Sequence, residues 1–167
     1  LILACTLIFL AFESQSWLYI IVFIGLSIFS VWAAISYTVG DKAYGYRGLG
    51  DLFVLLFFGG VSVLGAYFIQ LKTLSFPAFY LALSIGFFSV GVLNLNNMRD
   101  QANDAAVGKK TMVVFLGAKR AKMYHIILMV LAIILFVGVF LSNIYTFFWI
   151  PFLSNTTQEA TVPSPII

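Results

Sequence analysis

The chain has 167 residues, of which 62% are hydrophobic and only 9% are charged, and its net charge is +3. A soluble domain carries about 25% charged residues, so this composition excludes a soluble globular enzyme and predicts an integral membrane protein. The lone cysteine, Cys5, excludes a disulfide framework. We expect the excess of basic residues to reflect the asymmetry of the membrane loops, with no nucleic acid among the partners.

The apolar segments, in chain order, predict an all-α fold, a polytopic bundle of about five transmembrane helices. The first run, 1–12, is about half as long as a ~30 Å hydrocarbon core requires, so we expect a partial helix there and a chain that is a fragment. Full spans are predicted at 17–37, 52–71, 76–93 and 125–141, and polar connections at 13–16, 38–51, 72–75 and 94–123.

The end of the chain differs from the rest in composition. Residues 144–153 are aromatic and apolar but too short to cross a bilayer, and 154–167 contain two prolines and no hydrophobic periodicity. We therefore predict a partial membrane domain at 1–153 and a poorly ordered polar tail at 154–167.

Basic residues are concentrated in two of the predicted loops. If successive spans alternate in direction, the loops 38–51 and 94–123 share one side of the membrane, and they hold every Lys and Arg except Lys72. The positive-inside rule predicts that this side is cytoplasmic. Both polar loops then meet at one mouth of the bundle.

The segment 94–111 is a polar island in this apolar chain. Asn96, Asp100 and Asp104 recur every four residues, which places them near one face if the segment is helical. Oxygen ligands of this kind suit Mg²⁺, which proteins hold with one or two carboxylates plus substrate phosphates. Arg99 and Lys109 add positive charge for an anionic ligand, so we predict a metal and diphosphate site. The alternative is a solvated helical face, on which acidic residues at this spacing are common.

The loop 38–51 is rich in glycine, which lets the backbone bend closely over a ligand. Tyr37, Lys42 and Asp51 are candidates to complete the site from this loop. Alternatively, Lys42 anchors the topology and Tyr37 anchors the membrane interface.

Two motifs give the sequence a family resemblance. The pattern N-N-M-R-D-x-x-x-D-x-x-x-G-K-x-T-x-V-V-x-L-G, at 96–117, resembles the second aspartate-rich motif of the UbiA-type intramembrane prenyltransferases. The pattern Y-T-x-G…Y-x-G-L-G-D, at 37–51, is similar to an upstream loop of the menaquinone branch, which acts on 1,4-dihydroxy-2-naphthoate.

The resemblance implies a bundle of nine helices in which two aspartate-rich motifs hold Mg²⁺ against the diphosphate of a polyprenyl donor. Ionisation of the allylic C–O bond then gives a cation that the aromatic acceptor attacks. Mapped onto this sequence, Asn96, Asp100 and Asp104 would be metal ligands. The candidate substrate-binding residues are Arg99, Lys109, Tyr37, Lys42 and Asp51. The menaquinone branch further implies a multi-pass protein of the bacterial cytoplasmic membrane.

The sequence departs from the family pattern because the first aspartate-rich motif is absent. We therefore expect the 167-residue chain to be inactive alone. Three alternatives stay open: the same chemistry on another aromatic acceptor, a membrane transporter or channel whose aspartates bind a coupling ion, and a degenerate fragment with no activity.

Overall fold

The computed structural model describes residues 2–38 and 44–159; for Thr38, Tyr44 and 145–159 it describes the backbone alone. These residues form helices and connections, with no strand among them. The helices are α1 (Ile2–Ala11), α2 (Trp17–Thr38), α3 (Gly50–Leu71), α4 (Phe76–Ala106) and α5 (Met112–Glu159), and a short 3₁₀ turn covers Tyr44–Arg47. All except α1 contain a stretch long and apolar enough to cross a membrane, which confirms the predicted fold class.

The helix boundaries follow from local chemistry. Ser75 caps α4, since its hydroxyl accepts a hydrogen bond of 3.3 Å from the backbone N–H of Ala78, and Pro77 occupies the first turn. Thr111 caps α5 in the same way, with a hydrogen bond of 3.2 Å from Val114. At the end of α3, Lys72 adopts a left-handed conformation (φ 56°, ψ 20°) that stops the helix.

The prediction of a long loop at 94–123 is wrong. α4 continues to Ala106 and α5 begins at Met112, so only 107–111 connect the two helices. The polar end of α4 stays helical because it packs against α5: the Gln101 side chain donates a hydrogen bond of 3.3 Å to the carbonyl of Val113. α5 breaks its direction at Gly117 (φ 76°, ψ 162°), a conformation that glycine adopts readily.

The last helix also extends beyond the predicted end of the membrane domain. The backbone of α5 is helical to Glu159, and it therefore includes 154–159 of the segment predicted as a poorly ordered tail. The division of the chain at 153 stays a prediction.

α4 lies at the centre of the bundle, between α3 and α5. It meets α5 through Ser84, whose hydroxyl donates a hydrogen bond of 2.7 Å to the carbonyl of Ala132. It meets α3 through two glycines, because a methyl group at Gly59 would lie only 3.0 Å from the Cα of Gly86. Small residues at a helix crossing let membrane helices approach closely.

An aromatic cluster and one lysine hold together the end of the bundle where α1 meets α2 and where α3 finishes. The ring of Phe12 is fully buried and lies 5.1 Å from that of Phe23. The ammonium of Lys72 lies 4.0 Å above the Phe12 ring and donates hydrogen bonds to the carbonyls of Ala11 (2.6 Å) and Ile69 (2.5 Å). Lys72 thus ties α1 to the end of α3.

Candidate functional site

The two polar segments singled out in the sequence meet at one end of the bundle. The backbone N–H of Lys110 donates a hydrogen bond of 2.9 Å to the carbonyl of Tyr46. Gly48 lies against the backbone of the same residue, since a methyl group at Gly48 would come 2.8 Å from the Lys110 carbonyl oxygen. The described part of the loop 38–51 therefore touches the turn between α4 and α5, as the predicted topology requires.

Asp100 lies at the accessible part of this polar end. Its side chain is 44% exposed, and both carboxylate oxygens accept hydrogen bonds of 2.9 Å from the guanidinium of Arg99. The Arg99 side chain is itself 72% exposed. An exposed pair of this kind is weakly bound, so both groups are available to a charged ligand.

Asp104 lies one turn further along α4 and is enclosed. Its side chain is 8% exposed, and its carboxylate oxygens lie 3.3 and 3.4 Å from the ammonium of Lys109. The backbone N–H of Lys109 also donates a hydrogen bond of 2.9 Å to the Asp104 carbonyl, which holds the lysine beside the carboxylate. Asp104 and Lys109 therefore form a preorganised pair.

The side chains predicted as metal ligands differ in exposure along the helix. Asn96 is exposed, Asp100 is partly exposed and Asp104 is buried, because residues four apart drift by about 40° around a helix. Within the described residues no three His, Cys, Asp or Glu side chains converge. The oxygen-only donors on α4 nevertheless fit Mg²⁺, which commonly takes one or two protein carboxylates and completes its shell with phosphate and water.

Asp51 lies in the first turn of α3 and is 9% exposed. Its carboxylate accepts a hydrogen bond of 2.9 Å from the hydroxyl of Tyr124 on α5. The substrate-binding role of Asp51 stays a prediction, and its carboxylate has a protein partner already.

Tyr37 lines an apolar cavity of about 630 Å³ beside this polar end. The cavity lies mainly between α2 and α3, and an adjoining cavity of about 770 Å³ shares Ser30, Val61 and Ser62 with it. The lining of the first cavity consists of Ser30, Ala33, Ala34, Tyr37, Gly50, Phe53, Val54, Phe57, Phe58, Val61, Ser62 and Leu93. Lys42, the remaining residue predicted to bind substrate, lies outside the described residues.

Sequence reasoning missed three polar residues near the site. Tyr124 lies between the predicted loop 94–123 and the predicted span 125–141, and its hydroxyl donates a hydrogen bond to Asp51. Asn94 is fully buried, and neither its amide nitrogen nor its amide oxygen has a hydrogen-bond partner among the described residues. His125 lies against Gly91 of α4, and its Nδ1 atom is likewise buried and unpaired within that part of the chain. Asp51, a carboxylate at the start of the apolar helix α3, was the signal in the sequence that a buried hydrogen-bond donor was needed.

The family model that matches this chain is the UbiA prenyltransferase family, over residues 1–156. The chain belongs to the UbiA prenyltransferase family. The match covers nearly the whole chain and includes every helix that borders the polar end of the bundle.

Three of the individual relatives that the chain resembles share one enzyme name. The chain is 45% identical over 126 residues to the 1,4-dihydroxy-2-naphthoate octaprenyltransferase of Haemophilus influenzae, covering 75% of this chain and 40% of the relative. Identity to the enzyme of the same name from Escherichia coli is 49% over 104 residues, 62% of this chain and 33% of the relative. Identity to the Mycobacterium tuberculosis enzyme of the same name is 38% over 129 residues, which cover 77% of this chain and 42% of the relative.

The chain therefore spans less than half the length of the curated relatives it matches. No solved structure matches it at a significant level.

Proposed function

We propose that the whole protein transfers a polyprenyl group from polyprenyl diphosphate to 1,4-dihydroxy-2-naphthoate in menaquinone biosynthesis. The observation that carries this proposal is the identity of 45% and 49% to two enzymes named for that acceptor. The polar end of α4 supports it, because this end offers two carboxylates and two cations beside an apolar cavity.

We assign the described polar residues of α4 and its following turn to two roles in binding the donor. Asp100 and Asp104 are the proposed Mg²⁺ ligands, with Asn96 as a further oxygen donor directly or through water. The cation supplies charge neutralisation to the leaving diphosphate. Arg99 and Lys109, which neutralise the two carboxylates in this structure, are the side chains proposed to contact diphosphate oxygens.

The apolar cavity suits the reacting carbon chain. In the proposed reaction the allylic C–O bond breaks, and its electron pair leaves with the diphosphate. The ring carbon that bears the carboxylate forms the new C–C bond, and the carboxylate leaves as carbon dioxide. Phe53, Phe57 and Phe58 line the cavity, where aromatic rings can stabilise positive charge.

The cellular setting and the state of the isolated chain belong to the same proposal. We place the protein in a bacterial cytoplasmic membrane with its polar end on the cytoplasmic side, supported by the basic residues gathered there and by bacterial relatives. We also propose that residues 1–167 alone do not turn over, since Asp100 and Asp104 belong to one of the two aspartate-rich motifs that the family resemblance implies.

The test uses the full-length protein that contains this chain, purified in detergent and assayed for prenylation of 1,4-dihydroxy-2-naphthoate. Asp100→Asn and Asp104→Asn are expected to lower kcat by about 100-fold or more, and EDTA is expected to abolish turnover until Mg²⁺ is restored. Glu13→Gln is the matched control, because Glu13 is an exposed acid between α1 and α2.

The outcomes separate the competing functions. Prenylation of a different aromatic acceptor, with the same dependence on both aspartates, would keep the chemistry and reject the naphthoate. Activity that survives both substitutions would remove α4 from the site. Absence of prenylation together with cation-coupled solute uptake in vesicles would favour the transporter.

A further inference from the structure

The beginning of α5 carries three basic side chains that are all exposed: Lys119, Arg120 and Lys122. Between them lies Ala121, which is fully buried. Since neighbouring helical residues are about 100° apart, a buried Ala121 means that the three cations occupy the flanks and the outer side of the helix. We refer to Lys119, Arg120 and Lys122 as the basic collar.

Among the described residues, no acidic side chain forms an ion pair with the basic collar. From Ala105 to Ile144 the sequence contains no Asp or Glu. The ion pairs among the described residues join Arg99 to Asp100 and Lys109 to Asp104, so the collar takes part in none of them. Three positive charges within four residues are therefore available to an anionic partner from outside the described residues.

The position of the collar identifies the kind of partner. Exposed apolar residues begin immediately after it, with Met123 (59% exposed), Ile126 (54%) and Ile127 (49%), and they continue along the helix. An exposed apolar surface on a helix of membrane-spanning length is suited to contact with hydrocarbon. The collar therefore lies at the level where lipid phosphates begin, where each Lys or Arg strengthens attraction to anionic lipid.

The segment before the collar is suited to the same interface. The first turn of α5 is anchored by the buried Val113, whose carbonyl binds Gln101, while Phe115 is 83% exposed. The break at Gly117 separates this turn from the spanning helix. An exposed aromatic ring beside basic side chains is typical of segments that lie in the headgroup region.

We propose that the basic collar is a binding site for the phosphate headgroup of anionic phospholipids. The charges form no ion pair among the described residues, and they continue into the exposed apolar surface of α5, which favours a lipid over a soluble anion. This inference does not depend on the proposed enzymatic function, because it concerns the outer surface of α5.

The test measures which lipids the purified protein retains. The protein is exposed in detergent to equal amounts of phosphatidylglycerol and phosphatidylcholine, and bound lipids are counted by native mass spectrometry. The variant K119Q/R120Q/K122Q is compared with K119R/K122R, which keeps all three charges. Each lost charge is expected to weaken phosphatidylglycerol retention about fivefold, or about 100-fold for the triple variant.

The wild type and K119R/K122R are expected to prefer phosphatidylglycerol, and this preference should fall as salt is raised. If the triple variant does not fold, the three single Gln variants provide the same measurement at about fivefold each. Equal retention of both lipids by the wild type, or an unchanged preference in the Gln variants, would overturn the proposal. Displacement of phosphatidylglycerol by inorganic diphosphate at equal concentration would reassign the collar to a soluble anion.

Discussion

The hydroxyl of Tyr124 donates a hydrogen bond of 2.9 Å to the carboxylate of Asp51, which lies 73 residues earlier in the chain. The bond joins the first turn of α3 to α5 at the same end of the bundle as Asp100 and Asp104. Asp51 is only 9% exposed, so little water reaches its carboxylate, while the N-terminus of α3 favours its negative charge. Through this bond, Tyr124 holds the Asp51 carboxylate in place at the polar end of the bundle.

Tyr124→Phe is expected to lower the free energy of unfolding in detergent by about 1–3 kcal/mol, because it leaves a buried carboxylate without its donor. The measurement is thermal or denaturant unfolding followed by circular dichroism. Tyr46→Phe is the control, since the Tyr46 side chain is 47% exposed and its known bond to Lys110 is made by the backbone. A loss no larger than that of the control would show that the bond between Tyr124 and Asp51 does not stabilise the bundle.

Adjacent glycines of α3 give a second prediction. A methyl group at Gly59 would lie 2.5 Å from the carbonyl oxygen of Ala82, whereas at Gly60 it would meet no atom within 4 Å. Gly59→Ala is therefore expected to push α3 and α4 apart and cost about 1–3 kcal/mol. Gly60→Ala is expected to be neutral or stabilising by about 0.5–1 kcal/mol, because alanine favours a helix over glycine. The same unfolding assay checks both, and equal effects would contradict the close approach at Gly59.

The contact between the two polar connections can be tested with two glycines of similar backbone conformation. Gly48 (φ 77°) and Gly108 (φ 73°) both adopt positive φ, so alanine at either costs about 1–2 kcal/mol. At Gly48 the methyl group would also lie 2.8 Å from the Lys110 carbonyl oxygen, whereas Gly108 has open space. We expect Gly48→Ala to lower stability and prenyl transfer more than Gly108→Ala. Similar losses in both variants would argue against a functional contact between the loops.

Two neighbouring lysines test whether the proposed donor site depends on Lys109, which pairs with Asp104, or only on positive charge in general. The Lys109 side chain is 22% exposed and lies beside Asp104. The Lys110 side chain is exposed, and the hydrogen bond between Lys110 and Tyr46 is made by the backbone. Lys109→Gln in the full-length protein is expected to raise KM for the polyprenyl diphosphate about tenfold, since a charge-assisted contact to the diphosphate is lost. Lys110→Gln is expected to leave KM close to that of the wild type. Steady-state kinetics with varied donor decide this, and equal KM values for the two variants would remove Lys109 from the donor site.

The sequence by itself determined the membrane class, the presence of four full spans and the family. These properties depend on local signals: apolar runs of membrane length, the distribution of Lys and Arg, and the motif from Asn96 to Gly117. The family match and the four spanning helices confirm them. The direct metal and substrate contacts assigned to Asn96, Asp100, Asp104, Arg99, Lys109, Tyr37, Lys42 and Asp51 stay predictions.

The tertiary structure decided what the polar residues face. The polarity at 94–123 predicts a loop, but the segment is helical on both sides of 107–111, where α4 and α5 pack together and Gln101 donates a hydrogen bond to the Val113 carbonyl. The burial of Asp104 and the exposure of Asn96 depend on which face of α4 meets α5, and spacing along one helix does not report that. The pairing of Asp51 with Tyr124 depends on the packing of two helices distant in sequence, which no local pattern encodes.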